Sequence, residues 1–356
     1  MKMKNNLQKL IVTLAAVVTL APAIHAQSVS LVTVGGNASI KLITNRIPTI
    51  LSSAVYTQGS TNLIFRFTGK YGSTNVTWDF NLTGGAGAVQ DLVEGNQVQL
   101  VTGTGVPVFV TTVTAPETIG INPTGLTQDL TLVAPVLLVA NSNSTDLVGL
   151  TNLTQRQAVT LEASAGTLPP AFFGGASTVS PLYWVGRNQI SAVRQVLDAN
   201  TFASGENNFT TNGSGQSIPY LDGLGNPFGA GSGTEVVAIV NAIPDSVGSV
   251  AGQDFYSASP LVRALSYEGV PYSPANVING SYPLWGYERY IYFSSGLQAP
   301  SPQQEQLIQA LEGAIENPTF QASSSFTNKF ISYSAVNASV QRSIHVDGGP
   351  ITSQIY

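Results

Sequence analysis

The chain has 356 residues, of which only 9% are charged, a formal net charge of −5 and no cysteine. So few basic residues leave no patch to offset phosphate repulsion, which argues against a nucleic-acid or anionic-membrane partner. The absence of cysteine excludes disulfides, thiolate chemistry and a lipid-modified cysteine.

Residues 1–26 carry Lys2, Lys4 and Lys9, then the apolar run Leu10 to Ala21, then Ile24-His25-Ala26. That is the anatomy of a cleaved secretory signal. Cleavage near Ala26 starts the mature chain at Gln27 and takes away three lysines and no acid, so the formal charge becomes −8. The apolar run is too short to span a bilayer and no later stretch reaches eighteen apolar residues, so no membrane anchor is expected. The product is expected to be periplasmic or secreted. Its roughly 330 residues exceed what one core usually serves, so two lobes are expected.

In chain order, Ser30 to Val34 reads as a strand, Gly35-Gly36-Asn37 as a turn, and Ala38 to Leu51 as a helix with Ile40, Ile43, Ile47 and Ile50 on one face. Leu63 to Phe67 and Val76 to Phe80 read as strands, and Thr83-Gly84-Gly85-Ala86-Gly87 as a turn into a short helix over Ala88 to Val93. Leu130 to Ala140 is apolar enough for a buried crossing strand. Thr151 to Leu161 reads as a capped helix and Ser204 to Gly233 as a long loop. Strand signal returns at Val236 to Ile243 and Tyr290 to Phe293. Ser301 to Asn317 is the clearest helix, with Pro302 at its start and Leu307, Ile308, Leu311 and Ile315 on one face. Repeated strand–turn–helix units indicate an α/β fold.

The densest chemistry lies in Tyr183 to Arg194, where an apolar strand meets a turn carrying Arg187 and opens a helix at Ser191. A helix start with free N–H groups, a Ser and a guanidinium suits an anion. Gly186-Arg187-Asn188-Gln189-Ile190-Ser191-Ala192-Val193-Arg194 resembles, without a gap, the Gly-Arg-Asp-x-Gly-Ser-Gly-Thr-Arg turn of the periplasmic phosphate-binding solute receptors of ABC transporters. Gly35 to Ser39 and Thr83 to Gly87 are similar to that family's two other glycine-rich turns. Leu265 to Pro274 and Asn279 to Glu288 resemble its return segment.

The resemblance implies a two-lobed type 2 periplasmic binding fold, each lobe a mixed sheet flanked by helices. The first lobe would comprise 27–136 and 255–356, and the second 137–254. It implies a monomer without cofactor that captures phosphate or a related oxyanion between the lobes and hands it to an ABC permease. Carried over by position, the ligand-binding residues would be Ser39, Thr83, Gly84, Gly85, Arg187, Ser191 and Arg194. Four positions depart from the pattern: Asn188, Ile190, Ala192 and Val193 replace Asp, Gly, Gly and Thr. Ile190 does not take the positive φ open to glycine, and Val193 removes a hydroxyl donor.

Structural readings stand beside these. Ser191 also fits a simple helix N-cap, Arg194 a solvent-facing cation, and Ser39 with Gly84-Gly85 ordinary caps and turns. Trp285 and Tyr287 read as core. Catalysis is disfavoured: His345 is the only histidine after the signal, there is no Gly-x-Ser-x-Gly elbow, and no metal-binding cluster is spelled out. The alternative to a receptor is an exported structural or adhesive protein that kept the fold without the ligand.

Overall fold

From Gln27 the chain enters β1 (Ser28–Gly35), turns through a single 3-10 turn at Asn37–Ser39 and runs into α1 (Ile40–Ile50). The computed structural model describes residues 27–201, 207–258, 260–345, 347–348 and 350–353; the proposed signal lies outside them. Leu42, Ile43 and Ile47 put the apolar face of α1 on the core, and Pro48 falls in its last turn. β2 (Ser52–Gln58), β3 (Ile64–Tyr71) and β4 (Thr74–Asn81) form an antiparallel meander, and β4 turns back to lie parallel to β1. α2 (Gly85–Glu94) follows and stops at Gly95, whose φ of 68° is the left-handed cap that glycine takes without strain. A small hairpin, β5 (Val98–Gln99) with β6 (Thr104–Gly105), leads to β7 (Phe109–Thr112), parallel to β1 on its other edge.

β8 (Leu126–Asn141) is sixteen residues long and buried throughout from Thr131 onward. After it come β9 (Asn152–Leu153), α3 (Gln155–Ala163), β10 (Tyr183–Val185), α4 (Ala192–Thr201), and a hairpin of β11 (Phe209–Thr211) and β12 (Ser217–Pro219). The chain continues through α5 (Gly233–Ala242), β13 (Ser246–Ala251), α6 (Gly252–Ala258), β14 (Val262–Ala264), β15 (Ser266–Tyr267), α7 (Pro274–Ile278), β16 (Trp285–Phe293) and α8 (Pro302–Glu316).

The main sheet has the order β10-β13-β8-β16-β7-β1-β4-β3-β2, parallel at β10/β13, β7/β1 and β1/β4 and antiparallel elsewhere. β8 belongs to both halves: Leu126 to Pro135 pair with β16, and Val136 to Ala140 pair with β13. Pro135, which has no N–H, stands where the partner changes. Aromatic residues fill the larger half, with Phe65 stacked on Phe80 at 4.9 Å and Trp285 fully buried, while α1 and α8 cover one face. Trp285 and Tyr287 are core residues. No helix among the described residues is long and apolar enough to cross a membrane.

Several boundaries differ from the sequence reading. Val236 to Ile243 was expected as a strand and is the body of α5, since the Ser232 hydroxyl accepts from the Glu235 N–H and caps a helix there. The loop expected over Ser204 to Gly233 contains the β11/β12 hairpin in its described part, anchored by buried Phe209. α3 begins after Thr154 rather than at Thr151, because Thr154 and Gln157 form a reciprocal capping box. α2 takes in Gly85 and Gly87, where the sequence predicts a turn.

Candidate functional site

Three strand ends and three helix starts meet at one place. The exit of β1 leads through Gly36 to Ser39 into α1, the exit of β4 through Thr83 and Gly84 into α2, and the exit of β10 through Gly186 to Ser191 into α4. The first N–H groups of a helix have no intrahelical acceptor, so such a meeting presents donors and the positive ends of three dipoles. Ligands in open α/β sheets collect at this end of the strands.

A cavity of about 20 Å³ sits there, lined among others by Ser39, Thr83, Gly84, Gly85, Arg187, Ser191 and Glu288. Six of the seven residues singled out in the sequence therefore surround one small space. Arg194 does not: it lines an adjoining space of about 10 Å³ with Glu162 and Asp198. It is buried rather than solvent-facing, its Nε donates to Asp198 Oδ2 one turn on (3.2 Å), and its Nη1 to the Arg187 carbonyl (3.4 Å).

Arg187 is 4% exposed. Its Nε donates to the Ala230 carbonyl and its Nη2 to the Gly231 carbonyl, both at 3.1 Å, while its buried Nη1 has no protein partner. Gly229 makes this possible, because a Cβ there would stand 2.3 Å from the Arg187 carbonyl. Burial lowers the guanidinium to about 10, opposed by Asp254 and Glu235, so it stays cationic at neutral pH. Burial raises Asp254 to about 6 in spite of Arg187 and Lys41.

Glu288 is the residue that sequence reasoning missed. It is 1% exposed, and Oε1 accepts from the hydroxyls of Ser39 and Thr111, the latter at 2.6 Å. Oε2 is buried without a partner. Burial raises its pKa, against the pull of those two hydroxyls and of Arg289. The signal was present as an acid–base pair inside the apolar run of β16, where the strand's register shifts between Glu288 and Arg289. A bulge of this kind re-aims a side chain.

The two sides of the site touch directly. The Ala86 N–H donates to the Ile190 carbonyl (3.1 Å), and Ile190 Cδ1 lies so close to Gly84 that a Cβ there would be 2.8 Å away. Gln253 Nε2 donates to the Asn37 carbonyl at 3.1 Å. A space of about 20 Å³ holds on the order of one water molecule. A tetrahedral oxyanion of five heavy atoms does not fit this closed form. Among the described residues no cluster of His, Asp or Glu could hold a metal ion, and His345 Nδ1 lies 2.8 Å from Glu117 at the surface.

No protein-family model matches the chain, and no curated protein matches it. Solved structures do. One is assigned as a phosphate ABC transporter substrate-binding protein with bound phosphate from Clostridium perfringens, at 14% identity and a TM-score of 0.53, covering 85% of this chain and 99% of that one. Another is an ABC-type phosphate transport receptor from Vibrio cholerae, at 14% identity and a TM-score of 0.49, covering 79% of this chain and 93% of that one. The chain has the fold of the periplasmic binding proteins. At this identity the first likeness establishes architecture alone.

Proposed function

We propose that the protein is an exported solute-binding receptor that takes phosphate or a related oxyanion between two lobes, for an ABC permease. The lobes are 27–136 with 255–356, and 137–254, and the mature chain starts near Gln27 and works in the periplasm or outside the cell. The observation that carries this reading is the buried Arg187, whose Nη1 amino group has no protein partner, in the lining of a space ringed by helix starts. The solved relative from Clostridium perfringens holds phosphate. Binding in this chain requires the two sides to part, withdrawing Ile190 from Gly84, and to close again over the ligand. The role is capture, with no bond made or broken.

A second reading rests on the same site. The space of about 20 Å³, already supplied with the carboxyl of Glu288, favours a protein that stays shut and serves as an exported structural or adhesive element. Calorimetric titration and melting curves with phosphate, sulfate, arsenate and molybdate separate the two. A receptor at a hundredfold excess of ligand over Kd gains about 2.7 kcal/mol and melts higher. Unchanged curves with all four anions overturn the receptor reading in favour of the second.

A further inference from the structure

Helix α4 meets the oxyanion site at one end and is held fast at the other. Ser191, Ala192 and Val193 line the small cavity at its start, while Asn200 stands in its last turn, about 12 Å further along the axis. Between the two ends α4 rests on the bare backbone of β16: a Cβ on Gly286 would lie 2.7 Å from Val196 Cγ2. That contact is apolar and has no preferred direction, so it does not by itself fix the position of the helix.

The far end is gripped by the C-terminal segment, residues 340–353. Arg342 is 6% exposed and is itself anchored beside the start of β16. Its guanidinium lies 4.2 Å over the Trp285 ring, its Nη1 donates to the Trp285 carbonyl at 3.0 Å, and its Nη2 donates to the Pro283 carbonyl. The same Nη1 donates to Asn200 Oδ1 at 3.0 Å. Six residues on, Gly348 takes a φ of 75° and passes so close to α4 that a Cβ there would stand 2.8 Å from Ala199 Cβ. Asp347 pins that passage, accepting from the Ala115 N–H at 2.8 Å and from Arg289 Nη1 at 3.0 Å, while its own N–H donates to Thr118 Oγ1 at 2.8 Å. The segment is thus tied down at 342 and at 347, and touches the end of α4 beside both ties.

We propose that the C-terminal segment is a latch that keeps the oxyanion site shut by holding α4 down on β16. Opening the site withdraws Ile190 and the start of α4 from Gly84 and Ala86. A helix moves as one body, so displacing its start shifts its end as well, and that end is bonded to Arg342. Breaking the bond takes an acceptor from a buried guanidinium, which costs more than losing a contact between neutral groups at the surface. Opening and release of Asn200 are therefore coupled along the length of α4. The latch rests on the receptor reading in requiring two sides that part, and it needs no particular anion.

The test is amide hydrogen exchange in the full mature chain. The Ala86 N–H, bonded across the site to the Ile190 carbonyl at 3.1 Å, reports opening. The Val108 N–H on the Val32 carbonyl (3.0 Å) and the Leu265 N–H on the Leu138 carbonyl (2.9 Å) report the rest of the fold. Asn200→Ala removes the α4 side of the latch and leaves Arg342 its two carbonyls. In that variant Ala86 is expected to exchange about tenfold faster or more, with Val108 and Leu265 keeping their rates. Gly348→Ala, which drives a methyl group against Ala199, is expected to do the same and keeps the test decisive if the first variant does not fold. Unchanged exchange at Ala86 overturns the latch, as does equal acceleration of all three amides, the mark of a general loss of stability. Selective acceleration of Ala86 in a protein that gives no calorimetric heat with phosphate upholds the latch and fails the receptor reading alone.

Discussion

The hydroxyl of Ser39 donates to Oε1 of Glu288, joining a helix start near the N-terminus to a strand 249 residues further on. A carboxyl group of the protein's own thus takes up a donor at the place where a bound anion would need one. The Glu288 pKa is raised in the folded state, so the unfolded chain loses that proton first as the pH rises. Stability from this group is therefore fully present below the unfolded value of about 4.5 and falls as the pH climbs toward the raised one. Glu288→Gln keeps an oxygen for Ser39 and Thr111 and removes the charge. Melting curves at about pH 5 and about pH 7.5 are expected to differ less in the variant than in the parent. An unchanged difference would show that Glu288 does not carry the pH response.

Asp254 and Glu312 bend the same curve in the same direction. Burial raises Asp254 from 3.8 to about 6 and Glu312 from 4.5 to about 7, so each withdraws stability between those two values as pH rises. The parent protein is expected to melt at a higher temperature near pH 5 than near pH 7.5. A maximum at neutral or alkaline pH would contradict this.

Arg187 is expected to decide anion binding. Arg187→Ala removes a charge-assisted contact worth roughly 1.5–3 kcal/mol and should abolish a phosphate-induced rise in melting temperature. The variant also frees the buried carbonyls of Ala230 and Gly231, so some loss of stability without ligand is expected, read as a lower denaturant midpoint. A phosphate shift that survives the substitution would place the anion elsewhere.

Ile190 closes the space over Gly84, and its replacement tests whether that contact limits access. Ile190→Gly restores the residue of the related motif and removes the side chain that packs against Gly84. Phosphate affinity measured by calorimetry is expected to rise about tenfold. The side chain is 46% exposed, so the global melting point should move little. Unchanged affinity would assign the obstruction to Glu288.

The pair Arg289 and Asp347 is almost fully buried at 3.0 Å, and Asp347 also accepts from the Ala115 N–H at 2.8 Å. Asp347→Ala leaves the guanidinium uncompensated and should cost about 3–5 kcal/mol, measured by denaturant unfolding. A loss well below 1 kcal/mol would mean that the carbonyls of Val113, Tyr287 and Ile344 suffice to hold Arg289.

What could be read in the sequence was what local chemistry decides. The apolar face of α1, the buried run of β8 and the capped start of α8 stand out because one spacing rule describes each of them. Val236 to Ile243 misled because a short apolar run rich in β-branched residues suits a buried strand as well as a helix. The tie-breaker was Ser232 three residues before Glu235, the spacing of a helix N-cap. At the site, Arg187 and Ser191 belong to one contiguous turn and were visible. Glu288 reaches Ser39, and the Ala230 and Gly231 carbonyls reach Arg187, only through the tertiary fold; the Glu288-Arg289 pair inside an apolar run is a local mark of the first, and nothing local marks the carbonyls.

β16 joins β7 to β8 in the middle of the sheet, yet it begins about 140 residues after β8 ends. Until Phe293 has left the ribosome, the facing edges of β7 and β8 have nothing between them, and the nascent chain holds two incomplete pieces of one sheet. Pairing across so long a loop is slow. The order of synthesis therefore leaves the two pieces unjoined while most of the chain already exists, a state that would suit the export proposed above.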